Sequence, residues 1–189
     1  MSSRRAVSVD REAPRPLAAG HATAAAPDAR RTTSPPPVAV APWLPPAATV
    51  VAVLGAAVAA YLTVAHFTTS AVLLCSGSGT IDCAKVTTSP ESVIVGIPVA
   101  VLGLFYFLVM VGLNLPRSWR AEGRVGAWLA RLRLVGVVVG IGFALYLVSA
   151  EVLVIGSICI YCTIAHILAF ALFVLVAAGS AQRGLGAPA

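Results

Sequence analysis

Charge is what this sequence has least of. Only 11% of its 189 residues are Asp, Glu, Lys or Arg, against 59% hydrophobic, and the mean hydropathy is +0.93. A water-soluble domain of this length needs a far more charged surface, so the scarcity excludes one and makes the lipid bilayer the solvent. Acid is scarcer than base: 7 Asp and Glu stand against 13 Lys and Arg, a net charge of +6. That excess does not describe a nucleic-acid binder. The basic residues lie in short clusters beside apolar runs, with no basic face interleaved with aromatics.

Residues 1–45 differ from the rest. Arg4, Arg5, Arg11, Arg15, Arg30 and Arg31 and the run Pro35-Pro36-Pro37 sit among Ala, Ser and Thr. Such a stretch buries too little apolar surface to offset its ordering entropy and reads as a disordered tail. It is too long and polar for a signal-peptide n-region, and no small-residue cleavage site follows its apolar neighbour. Residues 46–181 form the membrane domain, and 182–189 a second short tail.

Four apolar segments occupy that domain. Ala47–His66 is 20 residues without a charge and Val93–Leu115 is 23. From Leu134 to Ala181 the only charged residue is Glu151. A hydrocarbon core of about 30 Å takes roughly 20 helical residues, so this last stretch divides into two spans. Gly156 and Ser157 mark the turn, because glycine tolerates the backbone angles a tight reversal needs. Helices are expected at about 47–66, 93–115, 134–154 and 158–180, since isolated strands leave backbone groups unpaired in lipid.

The basic residues set the orientation. Six precede the first helix, and Arg117, Arg120, Arg124, Arg131 and Arg133 lie between the second and third. Arg183 follows the fourth, and Lys85 alone falls on the other side. The positive-inside rule makes both termini and the arginine loop cytoplasmic, with Trp43, Trp119 and Trp128 as interfacial anchors. All four cysteines then fall on or beside the extracytoplasmic segments, a coincidence that the charge pattern did not impose.

The cysteines form two close pairs. Cys159-Ile-Tyr-Cys162 opens the fourth helix, where free N–H groups and the helix dipole stabilise a thiolate, the form that attacks disulfides. No histidine follows it, which excludes c-type haem attachment. Cys75 and Cys83 flank a flexible Gly-Ser spacer. Taken alone they could be a stapling disulfide, and all four cysteines together could hold zinc. Two pairs on one face favour a relay that passes a disulfide between them.

Cys75, Cys83, Ser89, Gly96-Ile97-Pro98 and the helix-opening CxxC together resemble the vitamin K epoxide reductase family, over residues from about 47 to 180. The resemblance implies an all-α integral membrane protein, a four-transmembrane-helix bundle whose extracytoplasmic loop caps the active site. It also implies a membrane quinone (menaquinone, ubiquinone or vitamin K type) and an extracytoplasmic thioredoxin-fold dithiol oxidase as partner. Cys75 would meet the partner, Cys83 would exchange with Cys159, and Cys162 would face the quinone. Ser89 matches a serine or threonine that hydrogen-bonds a quinone oxygen. His166 stands where animal members carry a tyrosine.

The expected activity is a quinone-dependent thiol–disulfide oxidoreductase supporting disulfide formation. The alternatives are reduction of vitamin K epoxide or quinone, and a non-catalytic tetraspan protein with structural disulfides. Among the remaining residues, Glu151 and His66 are read as interfacial, Pro98 as lying in the first turns of the second helix, and 71–74 as a segment resting on the membrane surface.

Overall fold

The computed structural model describes residues 40–68, 75 and 80–185. The expected tail up to residue 39, the segment 71–74, residues 76–79 of the Gly-Ser spacer and the last residues, 186–189, lie outside these residues.

Helix α1 runs Leu44–Thr68, and α6 runs Ile160–Leu185. Between them come the short α2 (Cys83–Thr87), a 3-10 turn (Pro90–Ser92), strands β1 (Val93–Ile94) and β2 (Ile97–Pro98), α3 (Val99–Asn114), α4 (Pro116–Trp119) and α5 (Gly123–Ser149). A π-helical segment, Ala150–Ile155, continues α5. Helix α1 packs chiefly against α3 and α6, and α5 against α6.

Small residues let these helices approach. The buried face of α1 is Ala48, Ala52, Gly55, Ala56, Ala59, Leu62 and Ala65 below Leu44, a seam of the kind that draws helices together in lipid. A Cβ on Gly55 would collide with the Phe107 ring of α3, so that glycine is the ring's socket. Outward faces stay apolar, with Phe105, Val139, Leu145, Leu153, Ile167 and Phe170 all more than half exposed. Among the described residues three helices are long and apolar enough to cross a membrane: Leu44–Thr68, Gly123–Ile155 and Ile160–Gly184.

The expected second span is shortened. Val93–Ile94 pairs antiparallel with Ile97–Pro98 through a turn at Val95 (φ 52°) and Gly96 (φ 80°). Positive φ at both central residues is the signature of a type I′ hairpin, and β-branched residues followed by Pro98 oppose a helix here. Pro98 therefore precedes the helix instead of lying inside its first turns. The remaining 16 residues of α3 reach about 24 Å, short of a typical hydrocarbon core.

The arginine loop is also reduced, because α5 begins at Gly123 and carries Arg124, Arg131 and Arg133. Trp43 and Trp128 are exposed as interfacial anchors should be, but Trp119 is only 7% exposed. Its ring stacks under two guanidinium groups, Arg133 at 4.2 Å and Arg183 at 4.9 Å from the centroid. Arg133 Nη2 also donates to Ser118 O at 2.8 Å, and Arg183 Nη2 donates to Trp119 O. Cation–π contacts and carbonyl acceptors let charge enter the packed arginine-rich end.

Candidate functional site

At the opposite end the four cysteines come together. Cys83 and Cys159 are both fully buried in one cluster with Leu62, Ala65 and Val86, and Cys75 and Cys162 pack against it. Cys75 and Cys83 are joined by a disulfide, with Cα atoms 5.8 Å apart. Cys159 and Cys162 are free thiols.

Local signals account for both pairs. Asp82 caps α2, its carboxylate accepting the Lys85 backbone N–H at 2.9 Å, which sets Cys83 as the first helical residue. Gly156, in the left-handed region at φ 67°, ends the π segment, as the sequence led us to expect of this turn. The helix that follows starts at Ile160, so Cys159 occupies the capping position instead of the first turn. Its sulfur accepts the Cys162 backbone N–H at 3.3 Å, the bond that a capping serine would make. The Cys159 carbonyl accepts the Thr163 backbone N–H at 2.9 Å.

The two pairs are docked by backbone, not by helix packing. Ile81 and Ile158 form a parallel β-bridge. Asp82 N donates to Ile158 O at 3.2 Å and Ile158 N to Thr80 O at 2.9 Å. Each bridging residue lies close before a cysteine, so the bridge brings Cys83 alongside Cys159.

A hydrogen bond from the Cys162 side chain holds the Cys159 thiol below the ordinary cysteine value, although burial works against it. The start of α6 adds its N–H groups and dipole in the same direction.

Cys162 is half-buried and opens onto an apolar cavity of about 280 Å³ between α1, α3, α5 and α6. Leu62, Gly103, Phe107, Phe143 and Leu147 line it, and Ser89, Tyr106, Glu151 and His166 are among its polar members. The Tyr106 hydroxyl and His166 Nδ1 are buried without a hydrogen-bond partner. Unsatisfied polar atoms on an apolar wall are costly to fold and are suited to meet a ligand. Ser89 differs: its hydroxyl donates to Val86 O at 2.9 Å and must turn from that bond to reach a ligand.

The model of the vitamin K epoxide reductase family matches residues 46–177, a span that includes every cysteine and every polar residue of the cavity. The chain belongs to that family. Family membership makes it a membrane oxidoreductase of the quinone-linked, disulfide-exchanging kind. The cavity fits such a partner: its walls suit an apolar ring, and Tyr106 and His166 offer polar contacts for ring oxygens.

Three features differ from the sequence reading or were missed by it. Glu151 is not interfacial but 6% exposed. Its carboxyl meets the Cys159 backbone N–H and the Cys162 side chain. His66 faces inward, lining the cavity with Nδ1 3.2 Å from Thr87 O. Tyr106 had no signal of its own within an aromatic-rich apolar run. Glu151 did have one, because it extends the inward stripe Arg133, Val137, Gly140 and Ala144 at helical spacing.

Proposed function

We propose that the protein oxidises the dithiol of an extracytoplasmic thioredoxin-fold partner and passes the two electrons to a membrane quinone. The observation that carries this reading is the Ile81–Ile158 bridge, which seats an existing disulfide beside a free, helix-capping thiol. Cys75 is the half-buried member of its pair and is the sulfur a partner thiolate attacks. With Cys159 and Cys162 oxidised, the reduced Cys83 attacks Cys159 and Cys162 leaves; Cys75 then resolves the mixed disulfide, which returns Cys159 and Cys162 as a dithiol. Joining Cys75 to Cys83 also removes two of the four thiolates that a tetrahedral zinc site would require.

The quinone, when bound, supplies a two-electron acceptor that stays in lipid. The chain's own residues exclude water around it, orient its oxygens through Tyr106, His166 and Ser89, and hold Cys162 at the cavity wall. In this reading α3 completes a fourth span, with the hairpin filling the depth its short helix leaves. The arginine-rich end is cytoplasmic, and the cysteines face outward.

The test is a defined mixture: full-length protein in lipid vesicles, a naphthoquinone, and a reduced thioredoxin-fold dithiol. One hydroquinone should form for each partner disulfide. Partner oxidation without quinone reduction, or neither, would overturn the proposal.

A further inference from the structure

Among the described residues Glu151 is the one carboxyl buried at the cysteine end, and the relay leaves it without a task. The cap and the cavity account for the cysteines' positions without any acid nearby. A buried carboxylate costs several kcal/mol unless it is hydrogen-bonded, so its presence calls for a reason. Its position is fixed by contacts on both sides of the turn. It lies in the π segment, its carbonyl accepts the Ser157 N–H at 3.2 Å, and its side chain meets the Cys159 backbone N–H and the Cys162 side chain. It also lines the apolar cavity that Cys162 faces.

We propose that Glu151 is the proton carrier of the CxxC pair, taking the thiol protons of Cys162 and Cys159 and delivering them to the bound quinone. This rests on the quinone-linked reading above. The balance is complete. Oxidation of the two thiols forms the Cys159–Cys162 bond and releases two electrons and two protons. The electrons go to the quinone, and the carboxylate carries the protons to its oxygens one after the other, emptying between them. The walls beside Cys162 are largely apolar and offer an ordered water few partners, so a fixed base beside the sulfur suits the site.

The test compares wild type with Glu151→Gln and Glu151→Asp, each as the full chain in lipid vesicles. In single turnovers the dithiothreitol-reduced protein reduces menadione, followed against pH. Glu151→Gln should be slower by about 100-fold, the usual scale for a lost general base. It should also lose the acid limb of the profile, because only the ionised carboxylate accepts a proton. Glu151→Asp should keep the limb at an intermediate rate. The other titratable groups on or beside the cavity, His66, Glu91, Tyr106, His166 and the thiols of Cys162 and Cys159, are intact in every variant. So are Tyr61 and Tyr161, packed on the cysteine cluster, and Asp82 and Lys85 at the short helix against this turn. A limb lost with Gln and kept with Asp therefore belongs to Glu151.

A second readout uses no quinone. The infrared difference spectrum between diamide-oxidised and dithiothreitol-reduced protein should contain a carboxyl band that disappears in Glu151→Gln. Identical carboxyl regions in wild type and the Gln variant would overturn the proposal. So would a Gln variant within threefold of wild type, or one slower with its acid limb intact. If dithiothreitol reduces the Cys75–Cys83 bond at an altered rate in the Gln variant, its fold is damaged and the Asp variant decides. Loss of the limb with Asp then overturns the proposal. If wild type fails to reduce menadione, the proposed function falls, while the infrared comparison still decides the pairing of Glu151 with the thiols.

Discussion

Ile81 and Ile158 are joined by a parallel backbone bridge across a separation of 77 residues, and the two hydrogen bonds around it hold Cys83 against Cys159. Disulfide exchange requires sulfur to approach sulfur, and this bridge supplies the approach through main chain. Ile158→Pro removes the N–H that donates to Thr80. A net hydrogen bond is worth about 1 kcal/mol, so the rate of exchange between the pairs should fall roughly fivefold. Peptide mass spectrometry of quenched samples measures this, and an unchanged rate would show that the bridge is incidental.

Cys162→Ala should trap the relay midway. Cys159 attacks Cys83, Cys75 leaves as a thiolate, and alkylation of Cys75 removes the thiol that would resolve the mixed disulfide. The expected product carries a Cys83–Cys159 bond and an alkylatable Cys75, with no quinone reduction. A Cys75–Cys83 bond that persists would mean that the assigned roles are wrong.

The pH dependence of that trapping follows from the Cys159 thiol. With Cys162 in place its attack speeds up with pH as the thiolate forms and levels off early, because the Cys162 hydrogen bond holds it below the ordinary cysteine value. Cys162→Ser keeps a donor and Cys162→Ala does not. Trapping in the Ala variant should therefore need a higher pH than in the Ser variant, and coincident profiles would remove the hydrogen bond from the account.

Tyr106→Phe separates binding from folding. Its hydroxyl is buried without a partner, so removing it should leave thermal stability unchanged or slightly raised. Quinone reduction should nevertheless weaken by roughly tenfold in KM if the hydroxyl contacts a ring oxygen, a change of about 1.4 kcal/mol. A variant with unaltered KM would take Tyr106 out of the site.

Orientation has a direct chemical test, because Lys85 is the only lysine and is exposed. An impermeant amine reagent applied to intact cells should label it, and should miss a lysine introduced by Arg120→Lys. The reverse pattern would place the cysteines on the cytoplasmic side.

The sequence alone was enough for everything governed by solvent and by local backbone chemistry. Charge-free runs near 20 residues mark α1, α5 and α6, because lipid tolerates neither charge nor unpaired backbone. Gly156 marks the turn before the CxxC because an L-residue there would be strained. The spacing of the cysteine pairs pointed to the family. The tertiary structure decided what depends on partners distant in the chain. Val93–Pro98 became a hairpin because strand pairing outweighed apolar length, and Trp119 left the interface because Arg133 and Arg183 enclose it. Glu151 looks interfacial on any hydropathy scale, since such a scale counts a carboxyl's cost in lipid and not the Cys159 N–H and Cys162 side chain that receive it. No local pattern joins Ile81 to Ile158, because a single backbone bridge between two short segments leaves no periodicity to read.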